Sequence, residues 1–209
     1  MNLEKTLVIL KPSAVQRGLV GEITSRFERK GLQLAGMKMM QLNDELLNEH
    51  YAHLADKPFF SRVKKSMMAS PVIVCCYEGV DAVQVVRSMT GATNGRKAEP
   101  GTIRGDYSVS GQENIVHTSD SPEHAIVELN RFFKPEEIFD YTPNALPYLY
   151  NPQNEMFRRF RTKCSNLQNE TYPCESFFLP SNSTKKHQEK YTFPVLFYCS
   201  NFWQSRKNH

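Results

Sequence analysis

The side chains with chemical capacity fall at the edges of apolar segments. His117 closes the stretch Asn114-Ile-Val-His-Thr-Ser-Asp120, and Lys11 follows Thr6-Leu-Val-Ile-Leu10. Arg87 precedes a glycine-rich segment, Thr93 and Arg104 lie within it, and Glu128 comes eleven residues after His117. An imidazole, a carboxylate and several cations are groups that could act on phosphate. No Walker A loop and no G-x-G-x-x-G is present, so phosphate chemistry here would have to proceed without those cradles. Singly, each residue has a structural explanation: a histidine satisfied at a strand end, solvated charges at Lys11 and Arg87, an arginine pinning a loop at Arg104. Spacing alone does not bring them together.

The elements that must position them are legible from periodicity. Thr6–Leu10 reads as a buried strand ending at Lys11-Pro12. Val20, Ile23 and Phe27 keep helical spacing up to a stop at Lys30-Gly31, and residues 32–42 alternate as a second strand. Leu47, His50, Tyr51 and Leu54 share one helical face, and a further helix is expected over residues 60–68. Residues 72–77 form the third strand, and Ala82, Val85, Val86 and Met89 give the next helix. Residues 91–113, with five glycines and no apolar period, read as a long functional loop. Residues 114–117 are a fourth strand; Ser121 and Pro122 then open a helix carrying Ile126, Leu129 and Phe133. The order is that of an α+β protein, a ferredoxin-like split βαβ sandwich: a four-stranded antiparallel sheet with helices on its face.

Composition narrows the class. The chain has 209 residues, net charge +4 and mean hydropathy −0.52. No apolar run is long enough to span a bilayer, and no signal-type segment opens the chain, so a cytoplasmic protein is expected. Residues 1–149 hold 17 Lys+Arg against 18 Asp+Glu, so the excess of positive charge belongs to residues 150–209. A nucleic-acid partner is therefore not implied by the body of the chain. Cys75 and Cys76, adjacent in a strand, point to opposite faces and cannot readily bridge, and buried thiols in a reducing compartment follow. Cys164, Cys174 and Cys199 match no zinc spacing.

Five stretches resemble nucleoside diphosphate kinases: Leu7-Val-Ile-Leu-Lys-Pro-Ser-Ala-Val-Gln-Arg-Gly-Leu-Val-Gly-Glu22, Lys57-Pro-Phe-Phe60, Gly91-Ala-Thr-Asn94, Pro100-Gly-Thr-Ile-Arg-Gly-Asp106 and residues 114–121. The resemblance runs from about residue 3 to residue 151. It implies transfer of a γ-phosphoryl group from a nucleoside triphosphate to a nucleoside diphosphate through a phosphohistidine, by ping-pong kinetics. His117 matches the nucleophile, with Glu128 and Ser119 orienting it. Lys11, Arg87, Thr93, Arg104 and Asn114 match groups that hold phosphates and ribose. Phe59 matches the aromatic under the base, Val63 its other side, and Tyr51 a support for the lysine. Mg²⁺ is implied as a cation carried on the nucleotide phosphates, with no dedicated protein metal site. A homohexamer or a homotetramer built from dimers is implied as well.

Three departures accompany the match. Ser13 replaces a common Asp, Thr118 stands where the family usually has Gly, and Tyr148-Leu-Tyr-Asn151 is a weak form of the closing element. Two domains are read: residues 1–151 as the kinase domain, and residues 152–209 as an irregular C-terminal extension without an apolar period. Two rivals are an RNA-recognition module of the same topology, disfavoured by the near-neutral body, and an inactive scaffold, disfavoured because each matched residue is retained.

Overall fold

The computed structural model describes residues 3–150. The expectations for residues 152–209, including Cys164, Cys174 and Cys199, lie outside the described residues. In chain order the elements are β1 (Leu3–Leu10), α1 (Pro12–Gln16), α2 (Val20–Lys30), β2 (Gln33–Met40), α3 (Asp44–His50), a 3₁₀ turn (Ala52–Leu54), α4 (Phe60–Met67), β3 (Val72–Val80) and α5 (Ala82–Thr90). They continue with a 3₁₀ turn (Gly95–Lys97), α6 (Ile103–Tyr107), β4 (Val116–Thr118), α7 (Pro122–Phe132), a 3₁₀ turn (Pro135–Glu137) and α8 (Leu146–Leu149).

The four strands pair antiparallel in the order β2-β3-β1-β4, the ferredoxin-like arrangement expected from the element order. β3 is buried along nearly its whole length because helices cover both faces of the sheet, not one. On one face Val8, Leu10, Cys75 and Tyr77 meet Ile23 and Phe27 of α2 and Val86 of α5. On the other, Leu7, Ile9, Val74 and Cys76 meet Leu47 of α3, Met67 of α4, and Leu129 and Phe132 of α7. Cys75 and Cys76 thus lie in opposite cores, both as free thiols.

Four expectations shift. The helix expected through Leu54 ends at His50, and the chain continues in a 3₁₀ turn. The glycine-rich segment is not structureless: it holds a 3₁₀ turn and α6, whose N-cap Thr102 accepts from Gly105 N. Five residues are too few to display an apolar period, so α6 leaves no periodic signature. β4 begins at Val116 rather than Asn114, because Ile115 takes φ +71° and breaks the extended backbone. In α7, Ser121 does cap the helix by accepting from His124 N, but Ile126 is 62% exposed. Ala125, Leu129 and Phe132 form the buried face, since a small residue lets the helix lie close on β1.

Two strand ends converge by register. Ile9 pairs with His117 and Leu10 with Val116, so Lys11, one residue past β1, emerges beside the histidine. That junction is tied by Lys11 N donating to Ile115 O at 2.8 Å.

Candidate active site

His117 lies on β4, half-buried, and its Nε2 is 2.8 Å from Glu128 Oε1. An ionised carboxylate only accepts, so Nε2 carries the proton and Nδ1 keeps its lone pair. Ser119 Oγ donates to the other carboxylate oxygen, Oε2, at 2.5 Å, and itself accepts from Leu7 N at 3.3 Å. The carboxylate is thereby locked against rotation from two elements. Burial acts to raise the Glu128 carboxyl, but the His117 hydrogen bond and charge, the Ser119 hydroxyl and His50 outweigh it and hold it at about 2.

Facing this pair is a cationic wall. Lys11 Nζ donates to Asn114 Oδ1 at 2.6 Å. Burial, then the charge of Arg104, lowers the Lys11 ammonium to about 8 against the pull of Glu113. Asn114 spends its amide on Thr93 O at 3.1 Å and Gly111 O at 3.0 Å, closing the two ends of the glycine-rich segment on each other. Arg104, buried on α6, donates Nε to Asn114 O, Nη1 to Gly91 O and Nη2 to Val116 O, at 3.2, 2.8 and 2.8 Å. Burial and then Arg87 lower its guanidinium to about 10, still charged at neutral pH. The close approach at Gly91 requires glycine: its φ is +76°, and a Cβ there would collide with Thr102 Oγ1.

The backbone before His117 is strained. Val116 N donates to Asn114 O at 2.7 Å across Ile115, a three-residue turn whose centre is a β-branched residue at φ +71°. Ile115 is fully buried, and its packing with Val8, Leu10 and Ile103 holds the turn in place. Thr118 sits in extended β4 opposite Val8, a conformation in which a β-branched residue is at home and nothing requires glycine.

A cavity of about 1030 Å³ joins these groups. It is lined by Lys11, Tyr51, Phe59, Val63, Arg87, Thr93, Arg104, Asn114, His117 and Glu128, so ten of the eleven matched residues meet on one space. Ser119 is not among its lining residues and bears on it through Glu128. Phe59, just before α4, is 39% exposed and stands with Val63 on that helix, while Tyr51 is buried. Burial also keeps the Tyr51 phenol above its ordinary range.

Sequence reasoning missed two residues here. His50 was placed only on an apolar helical face, yet its ring stands 4.5 Å from that of His117. Arg131, which pairs with Glu49 at 2.7 Å, also lines the cavity. A histidine among leucines at helical spacing was the one available signal. His50, His117 and Glu128 bring ligand-type atoms within 4.8 Å of one another. Both Glu128 oxygens in that cluster are engaged, by His117 and Ser119, and the Arg131 cation lies 3.5 Å from His50 Nδ1, where a metal cation would be repelled.

Comparisons with known proteins agree over the same residues. The profile of the nucleoside diphosphate kinase family matches residues 4–138. The chain is 69% identical over 148 residues to a nucleoside diphosphate kinase of Parabacteroides distasonis, covering 71% of this chain and 97% of that protein. It is 48% identical over 149 residues to nucleoside diphosphate kinase A of Homo sapiens, covering 71% and 98%. The solved structure of a halophilic nucleoside diphosphate kinase from Halobacterium salinarum in complex with CDP superposes with a TM-score of 0.70 at 41% identity, over 71% of this chain and 99% of that one. Matched along its sequence from residue 4 to residue 138 and along the fold that sequence adopts, the chain belongs to the nucleoside diphosphate kinase family.

Proposed function

We propose that the chain carries a phosphoryl group from nucleoside triphosphates to nucleoside diphosphates on Nδ1 of His117, serving the cell's NTP and dNTP pools. The carrying observation is the 2.8 Å contact of His117 Nε2 with Glu128, which leaves Nδ1 as the nucleophilic nitrogen. Nδ1 attacks the γ-phosphorus, the bond to the β–γ bridging oxygen breaks, and the nucleoside diphosphate departs. A second diphosphate then attacks the same phosphorus through a terminal oxygen and the N–P bond breaks. As the imidazole gains positive charge, Glu128 balances it without moving.

Lys11, Arg87, Arg104 and Thr93 are assigned to the phosphate oxygens and Asn114 to holding Lys11 and the loop. Phe59 and Val63 are assigned to the two faces of the base. Stacking on Phe59 ignores base identity, because every base offers a π-face, and broad nucleotide use follows. Among the carboxylates lining the cavity, Glu49 is engaged with Arg131 and Glu128 with His117 and Ser119, while Asp120 at the exposed mouth faces His124 at 2.5 Å. So few available carboxylates fit Mg²⁺ held chiefly by the nucleotide's phosphates, where it would neutralise their charge. The free thiols Cys75 and Cys76 suit a reducing compartment such as the cytoplasm. Among the described residues no helix is long and apolar enough to cross a membrane. A homo-oligomer, hexamer or tetramer, is proposed on the exposed apolar edge at Met37, Met39, Phe139 and Tyr141.

The experiment is incubation with γ-labelled ATP. Label is expected on His117 in acid-labile, alkali-stable form, with parallel double-reciprocal lines in initial-rate kinetics. Label retained in His117→Ala, or intersecting lines, would overturn the reading.

A further inference from the structure

His50 ends α3 and stands outside the stretches that carry the family resemblance. Its side chain is 1% exposed, and three rings close around it edge-on: His117 at 4.5 Å and 75°, Tyr51 at 4.5 Å and 64°, Phe132 at 5.0 Å and 88°. Nδ1 faces the Arg131 guanidinium at 3.5 Å and Glu128 Oε1 at 3.8 Å. Arg131 can only donate, so Nδ1 is the accepting nitrogen and the ring proton sits on Nε2. Nε2 is buried with no hydrogen-bond partner among the described residues. Arg131 is itself fixed by Glu49 of α3, so the contact clasps α3 to α7 behind the nucleophile.

A cationic His50 would be costly in this setting. It would set a second N–H against a guanidinium and leave the first without an acceptor. Burial first, then His117, Arg131 and His53, lower its imidazole to about 3 against the pull of Glu128. At neutral pH it is an uncharged aromatic wall in contact with the ring that must gain charge.

We propose that His50 is a positioning residue for phosphoryl transfer: its neutral ring, held by Arg131, braces His117 edge-on so that Nε2 stays on Glu128 and Nδ1 stays aimed at the phosphorus. The inference rests on His117 as the phosphorylated residue. It adds that the nucleophile is steered from two sides, by a hydrogen bond at Nε2 and by ring packing across its face. Both are needed because one hydrogen bond leaves the imidazole able to pivot about it. A displacement of about 1 Å at a reacting atom can cost on the order of 100-fold in rate.

The test is single-turnover labelling of His117 by γ-labelled ATP in the full-length protein, with nucleotide affinity measured separately. His50→Ala is expected to slow labelling about 10- to 100-fold while nucleotide affinity stays within about twofold. His50→Phe restores a neutral ring of similar shape and is expected to return labelling to within about threefold of the parent. His50→Ala as fast as the parent, or His50→Phe as slow as His50→Ala, overturns the proposal. In the unaltered protein, ¹⁵N imidazole shifts should report His50 as neutral and protonated on Nε2 at pH 5.5. A doubly protonated His50 at that pH also overturns it, whatever the variants do. If the parent protein does not label His117 at all, the failure belongs to the phosphohistidine assignment; normal labelling with unaffected variants sinks the His50 role alone.

Discussion

Glu128 is asked to do two things at once. It selects the His117 tautomer through Oε1, and it supplies a fixed negative charge for the imidazolium that forms on attack. Glu128→Gln separates them, because the amide can still accept from Nε2 but carries no charge. Hydrogen bonds to charged groups contribute roughly 1.5–3 kcal/mol, so kcat is expected to fall about 10- to 100-fold with KM little changed. The same variant has a thermodynamic signature. Glu128 is held at about 2 in the folded protein against an ordinary value of 4.5. The unfolded chain therefore binds this proton first, and the stability that Glu128 contributes above pH 4.5 is lost as pH falls toward 2. Denaturant titrations between pH 5 and 3 should show a shallower acid loss for Glu128→Gln than for the parent. An equal slope would mean that the carboxylate is not held by His117 and Ser119 as drawn.

Among the elements, the turn before β4 is where local preference and tertiary packing disagree most. A β-branched residue at φ +71° costs on the order of 1–3 kcal/mol, and Ile115 adopts it because its side chain is fully buried. Without the turn, His117 would not register opposite Ile9 and the Asn114 side chain would not reach Lys11. Removing the buried side chain costs about 2–5 kcal/mol, more than the strain relieved, so both Ile115→Ala and Ile115→Gly should be destabilised. Their order carries the information. Away from special backbone, Ala is more stable than Gly by about 0.5–1 kcal/mol. Here Gly is expected to match or exceed Ala, since it alone meets no penalty at positive φ. Equilibrium unfolding of the pair decides it, and Ala clearly above Gly would remove the turn from the account.

On the scale of the whole molecule, the groups brought to the cavity lie, among the described residues, at or before Arg131, and those of the two cores at or before Ile138. We therefore propose that residues 152–209 are dispensable for transfer. A chain ending at Asn151 should keep kcat and nucleotide affinity, and light scattering should give the mass of four or six copies. Loss of activity in that shortened chain while it stays assembled would assign the extension to the working enzyme.

Much of this architecture was legible in the amino-acid order. Strand and helix types followed from the periods of two and 3.6, Ser121-Pro122 announced α7, and the family resemblance named ten residues that meet in the cavity, six of them inside the five matched stretches. Those signals are local, or are carried by motifs whose residues survive intact. What stayed hidden depends on approach through space. His50 becomes a neighbour of His117 only when α3 and β4 pack, and α6 is too short to show a period. Ile115 enters a positive-φ turn that no isoleucine prefers by itself. The face of α7 that turns inward is decided by how closely Ala125 lets it approach the sheet, a choice between three- and four-residue spacing that the sequence leaves open. The chain order determined which chemical groups were present and which elements carried them. Packing alone decided the tautomer of His117, the wall behind it and the strain beside it, because burial and proximity arise only when distant segments share one core.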